Sequence, residues 1–149
     1  MRNSKPIMII FLAVLLSTGC EKYSDGGLIS KADENLQNSW QLISYSRNGN
    51  NETSQLFISG YSEEYTPGGT YSRTYINKDG ELVSETGHWE LAGDQRTIHI
   101  SDVSSIEYFS ENNTTISSST YLISKLKKDE YWYHYENGGD VHLFKFVLK

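Results

Sequence analysis

The chain has 149 residues, 37% hydrophobic and 21% charged, a balance that fits neither a membrane bundle nor a disordered acidic tail. Aromatic residues reach 13%, with eleven Tyr and only two Pro, which points to one β-rich globular domain rather than several. Setting aside the leader residues Arg2 and Lys5 leaves 11 of the 13 basic side chains against 19 acidic ones, a net charge of −8; phosphate recognition needs clustered Lys and Arg, so nucleic acid is not the expected partner.

Residues 1–19 run from Arg2 and Lys5 through ten unbroken apolar residues, Ile7 to Leu16, to the small residues Ser17, Thr18 and Gly19. Ten helical residues cover about half of a ~30 Å hydrocarbon core. A basic start, a short apolar run and small residues are the order of a cleaved secretory signal. Cys20 follows directly and is the chain's single cysteine, so it has no partner for an intramolecular disulfide.

The stretch Leu16-Ser17-Thr18-Gly19-Cys20 resembles the lipobox of bacterial lipoproteins, with Ser17 where that family usually carries Leu. The resemblance implies that Cys20 becomes the lipid-modified first residue of the mature protein. Several acyl chains, at ~0.8 kcal/mol per buried CH₂, give durable membrane attachment. In many Gram-negative lipoproteins an Asp just after the cysteine retains the protein at the inner membrane. Glu21 stands there instead, so the resemblance implies an outer-membrane protein of the bacterial cell envelope, with the periplasmic and exterior faces both open.

Residues 20–37 show no sustained periodicity, and Gly26-Gly27 interrupts them. They read as the lipidated N-terminus and a flexible tether carrying one helical turn around Lys31 to Leu36. The domain proper spans residues 38–149. Short β-rich runs cover Ser39 to Arg47, Thr70 to Asn77, Glu81 to Leu91 and Arg96 to Asp102, then a run ending near Leu126, Glu130 to Glu136 and Val141 to Leu148. Turn chemistry separates them: Asn48-Gly49, Pro67-Gly68-Gly69, Asp79-Gly80, Gly93-Asp94, Lys128-Asp129 and Asn137-Gly138-Gly139-Asp140. Residues 53–65 and 104–110 each add a shorter strand. The basic residues Lys125, Lys127 and Lys128 run into Asp129-Glu130 and read as a solvated hairpin end.

The last hairpin sets a register. With Gly138 and Gly139 at its tip, Tyr135 pairs with His142, Tyr133 with Phe144 and Tyr131 with Phe146, all on one face. The other face carries Trp132, His134, Glu136, Val141, Leu143 and Lys145, a mixed set. The expected fold is all-β, an up-and-down antiparallel β-barrel of eight or nine strands, because closure removes exposed edges.

Trp40-Gln41-Leu42, Gly69-Thr70-Tyr71, Gly87-His88-Trp89-Glu90-Leu91, Tyr121 to Leu126 and Tyr131-Trp132-Tyr133 together resemble the small lipocalin-like, calycin-type domains of bacterial lipoproteins. The Ser/Asn/Thr-rich region 104–119 departs from that pattern, as does the lack of the helix that classical lipocalins pack outside their barrel. The resemblance implies a barrel with an interior open at one end, and structural core roles for Trp40 and Trp89 near the closed end. Tyr131, Tyr133, Tyr135, His142, Phe144 and Phe146 are the candidates for lining a ligand cavity, with hydroxyls as orienting contacts. Alternatively they fill the interior, since an eight-stranded barrel is only just wide enough for its own side chains.

Chemistry finds little support. The one thiol belongs to the lipid anchor, and no Gly-x-Ser-x-Gly elbow occurs. His134 and Glu136 share a strand face while His142 falls on the other, and His88 with His99 gives two metal ligands at most, where a catalytic zinc usually has three. No catalytic residues, metal or cofactor are therefore expected. The leading expectation is a non-enzymatic, membrane-anchored lipoprotein binding a small apolar or amphipathic ligand. The alternative is a filled-barrel accessory module that works through an envelope protein partner.

Overall fold

The computed structural model describes residues 20–56, 59–104, 107–108, 114–115 and 118–149. The expected leader, residues 1–19, lies outside them, as does most of region 104–119. The described strands are β1 (Ser39–Arg47), β2 (Asn50–Asn51), β3 (Ser59–Tyr65), β4 (Thr70–Ile76), β5 (Leu82–Leu91), β6 (Thr97–Ser101), β7 (Glu107–Tyr108), β8 (Thr114–Thr115), β9 (Thr120–Leu126), β10 (Glu130–Asn137) and β11 (Asp140–Leu148).

Eight of them form a closed, wholly antiparallel barrel in the order β1-β3-β4-β5-β6-β9-β10-β11, with β11 pairing back onto β1 from Trp40↔Leu148 to Arg47↔His142. The two-residue β2 adds to one end of β1, and β7 pairs with β8 as a separate small hairpin between β6 and β9. The up-and-down meander expected from the turn chemistry is thus present. Where a run was less clear in sequence, at 53–65, a 3₁₀ turn over Thr53–Gln55 precedes β3. The last hairpin has the anticipated register: Tyr131↔Phe146, Tyr133↔Phe144 and Tyr135↔His142.

Turn residues work as their chemistry dictates. In the β4–β5 connection the Asn77 side-chain oxygen accepts from the backbone N–H groups of Asp79 and Glu81 at 3.0 and 2.9 Å, an Asx turn that orients the next strand. Residue-by-residue alternation then sends every second side chain inward. In β10 the buried set is Tyr131, Tyr133 and Tyr135; in β11 it is His142, Phe144 and Phe146.

The segment 20–37 corrects the sequence reading. It is no free tether but a plug under one end of the barrel. A 3₁₀ turn over Ile29–Lys31 leads into the short helix α1 (Ala32–Leu36), and Tyr23, Ile29, Ala32 and Leu36 are buried in the same core as Trp40 and Leu126. Backbone bonds tie the segment to the sheet: Asp25 N–H to Ser124 C=O at 2.7 Å and Leu126 N–H to Gly26 C=O at 3.1 Å. Gly27 has φ +100°, and a Cβ there would sit 1.9 Å from the Leu126 oxygen, so the close approach demands glycine. The physical reason is burial: Ile29, Ala32 and Leu36 on two short helical turns, with Tyr23 before them, gain more from closing a barrel end than from solvent. Among the described residues, no helix is long and apolar enough to cross a membrane.

Candidate functional site

The barrel interior divides into three levels. The closed end is packed with rings. Trp40 is fully buried, donates its indole N–H to the Leu36 carbonyl at 3.0 Å, and lies 5.5 Å from the Tyr131 ring. Tyr131 stacks on Phe146 at 5.6 Å, and Tyr65 meets the Trp89 ring edge-on at 5.8 Å. Trp89 donates its indole N–H to the Thr66 carbonyl at 3.1 Å. Both tryptophans therefore have their polar atom satisfied locally and point inward.

At mid-height stands a group the sequence reading did not single out. Glu63, on β3, is only 2% exposed. Its Oε1 accepts hydroxyl bonds from Tyr61 at 2.7 Å, Tyr133 at 2.8 Å and Tyr71 at 3.0 Å, while its Oε2 accepts from Tyr65 at 2.6 Å. Burial pushes the carboxyl's pKa above its ordinary value, and the four hydroxyl bonds pull the other way without cancelling it. The four tyrosines are themselves held well above their usual range, chiefly by burial and then by the neighbouring carboxyl. They remain hydroxyl donors, so four hydroxyls already compete for the Glu63 carboxyl, three of them at Oε1.

Beside this network Arg73, across the ladder from Glu63 on β4, turns away from it. Its Nε donates to Glu85 at 2.7 Å and its terminal nitrogen donates to the Ser104 carbonyl. The interior arginine is thereby neutralised by a carboxylate, as an inward charge must be.

The mouth end, where β10 and β11 meet in the Asn137–Asp140 turn, is built differently. His142 has no exposed surface and stacks on Tyr135 with centroids 4.6 Å apart and planes 7° apart. Its Nδ1 is 2.8 Å from the Tyr45 hydroxyl. Its Nε2, and the hydroxyl of Tyr135, are buried with no hydrogen-bond partner among the described residues. Burial holds the imidazole below its usual pKa, against a smaller opposing effect from Asp140. Phe144 and Tyr121 complete the aromatic wall, Tyr121 meeting Tyr135 edge-on at 5.6 Å. At the rim, Arg47 pairs with Glu52 at 3.2 Å and lies 3.9 Å from Asp140.

The six candidate lining residues thus all face inward, yet they occupy different levels. Tyr131 and Phe146 pack the closed end, Tyr133 is bound to Glu63, and Phe144 bridges toward the mouth, 5.2 Å from Tyr133 and 5.0 Å from Tyr45. Only Tyr135 and His142 keep polar atoms uncommitted. Glu63 could have been found from the alternation Tyr61-Glu63-Tyr65, which places a carboxylate between two aromatics on one inward face.

Cys20 is exposed and borders a groove of about 470 Å³ shared with Ile29 and the Gly93–Gln95 turn, on the closed-end side. His88 bonds Asp102 at 2.9 Å and His99 lies 3.1 Å from the Thr120 hydroxyl, both exposed pairs. Among the described residues no three His, Cys, Asp or Glu side chains gather as a metal site. On the outer wall, Lys125 and Lys145 place their ammonium groups 4.1 and 4.0 Å from the Trp132 ring, and Lys125 also pairs with Glu130 at 2.9 Å.

No family model and no curated protein matches the chain. Among solved structures it is similar to japanin from Rhipicephalus appendiculatus bound to cholesterol (11% identity, TM-score 0.49, 75% of this chain and 74% of that one). It is also similar to a lipocalin-like protein from Bacteroides uniformis (19% identity, TM-score 0.43, 74% and 97%) and to lobster apocrustacyanin A1 (14% identity, TM-score 0.44, 76% and 61%). The chain itself is a closed, eight-stranded antiparallel barrel.

Proposed function

We propose that the protein is a lipid-anchored binding protein that holds a small apolar or amphipathic molecule in the mouth half of its barrel. The observation that supports this most is the pair of buried, unpartnered polar atoms, Tyr135 Oη and His142 Nε2, set in an aromatic wall. Leaving a buried donor or acceptor unpaired costs about 1–3 kcal/mol, and such atoms are rare in folded interiors unless something else uses them. Native mass spectrometry of protein purified gently from its own type of host tests this. A co-purifying small molecule that leaves on denaturation is the expected result. A clean apo mass with no thermal shift across a lipid and aromatic panel would sink the proposal.

That second outcome belongs to the other reading, a filled-barrel accessory module acting on an envelope protein. The packing of Trp40, Tyr131 and Phe146 and the four hydroxyls on Glu63 favour it for the lower two levels. Anchorage through Cys20 at the outer membrane rests on the leader and on the cysteine's exposure. Metabolic labelling with an alkyne fatty acid should mark the protein, and Cys20→Ser should abolish the label and release the protein from membranes.

A further inference from the structure

The polarity of the mouth can be worked out atom by atom. Tyr45 Oη and His142 Nδ1 share one hydrogen at 2.8 Å. A phenol, with a pKa near 10, is a far stronger acid than the N–H of a neutral imidazole, so the hydrogen stays on Tyr45 and points at Nδ1. Burial keeps the ring neutral near pH 7, and a neutral imidazole that accepts at Nδ1 carries its own hydrogen at Nε2. Tyr135 is likewise kept as a phenol by burial. The two unpartnered atoms are therefore both donors, carried by directly paired residues whose rings stack 4.6 Å apart. One acceptor oxygen with two lone pairs matches two donors.

Charge narrows the class. Asp140, Arg47 and Glu52 face His142 from β11 and the β1–β2 region, and Arg47 pairs with both carboxylates. The other inward arginine, Arg73, is bound to Glu85. A ligand carboxylate would lose its hydration and meet only neutral donors and already paired cations; an ammonium group would exchange its hydration for the lone pairs of the neutral Tyr135 hydroxyl, the nearby carboxylates Glu52 and Asp140 being paired with Arg47. The neighbouring rings of Tyr45, Tyr121, Tyr135 and Phe144 favour a flat apolar body.

We infer that the mouth half takes an uncharged, flat ring system bearing one carbonyl-type oxygen, with Tyr135 Oη and His142 Nε2 both donating to that oxygen. The inference rests on the ligand-binding reading above and names its ligand class. Three probes of one shape test it: 2-acetonaphthone, 2-ethylnaphthalene and 2-naphthoate, titrated calorimetrically into the purified protein. The ketone should bind about tenfold more tightly than the hydrocarbon, and the carboxylate more weakly than either.

Tyr135→Phe and His142→Phe should each erase most of the ketone's advantage over the hydrocarbon, read as the ratio of the two affinities in each variant. Tyr135→Phe removes a single unpartnered oxygen, so it should fold at least as well as the parent. Equal affinity of ketone and hydrocarbon overturns the inference while leaving ligand binding intact, as does tightest binding of the naphthoate. Binding of none of the three overturns both it and the reading on which it rests.

Discussion

Tyr133 and Tyr135 stand two residues apart on the inner face of β10, and both are buried. The hydroxyl of Tyr133 donates to Glu63 at 2.8 Å; that of Tyr135 has no partner among the described residues. The same contrast separates the tyrosines and tryptophans of the two ends, although Ser124 Oγ, on β9 beside the plug, is also buried without a partner among the described residues. Below mid-height the buried tyrosines and tryptophans satisfy their polar tips with backbone carbonyls, the Glu63 carboxyl or one another. Towards the mouth, rings of the same kind leave Tyr135 Oη and His142 Nε2 unmatched. A polar atom buried with a partner specifies the fold, whereas one buried without a partner weakens it. Under the ligand-binding reading proposed above, Tyr135 Oη and His142 Nε2 mark the part of the interior used for recognition.

Trp40→Ala is the severest way to strike the packed end. It removes a fully buried indole and its bond to Leu36, and should cost about 3–5 kcal/mol in urea unfolding. An effect below ~1 kcal/mol would mean that the plug of residues 20–37 does not depend on it.

Glu63→Leu comes next, because it strands four hydroxyls at once; a loss of about 3 kcal/mol or more is expected. Glu63→Gln keeps one acceptor oxygen and should cost less. The two forms also separate by pH. Since Glu63's folded pKa lies above the ordinary 4.5, the folded state holds its proton more firmly than the unfolded chain. Its contribution is fully present below about pH 4.5 and is lost as pH rises through the raised value. Stability of the parent relative to Glu63→Gln should therefore fall with rising pH across that window, and a flat difference would refute the raised pKa.

The hydroxyl comparison is the sharpest test of the two ends. Tyr133→Phe should destabilise by about 1–2 kcal/mol, through loss of its bond to Glu63. Tyr135→Phe should be neutral or stabilising by up to ~1 kcal/mol. Equal melting temperatures for the two variants would erase the distinction.

The smallest effect concerns His142. Its folded pKa lies below 6.5, so the unfolded chain binds a proton that the folded one refuses. The stability present above about pH 6.5 should be lost as pH falls from there towards the lowered value, with a slope of at most ~1.4 kcal/mol per pH unit for one proton. His142→Phe should remove that slope; an unchanged slope would place the titration elsewhere.

The hairpin from Glu130 to Leu148 was legible because its signals are local: Asn137-Gly138-Gly139-Asp140 fixes the turn, and alternation fixes the face. Alternation places its inward residues but not their levels, since height in a barrel depends on what the other strands bring. Glu63 escaped for the same reason. Its partners Tyr71 and Tyr133 lie 8 and 70 residues away, and a Glu within a polar run reads as solvated. The segment 20–37 was misread because its apolar residues are few; their spacing, Ile29, Ala32 and Leu36, is that of one helical face. The plug they form gains its energy from a barrel that sequence alone does not display.

If Cys20 carries the proposed lipid, that plug has a mechanical consequence. Three residues after the cysteine, Tyr23 is already buried and bonds the Gln95 carbonyl at 2.6 Å, so the stalk has almost no slack. The barrel would stand upright on its closed end, its mouth facing away from the bilayer. A nine-residue strand rises about 30 Å along its axis, or roughly 20–25 Å along the axis of a barrel with typical strand tilt. Delivery to or from that mouth would occur at a fixed height above the headgroups, out of reach of molecules dissolved in the same leaflet and within reach of whatever approaches from the aqueous side.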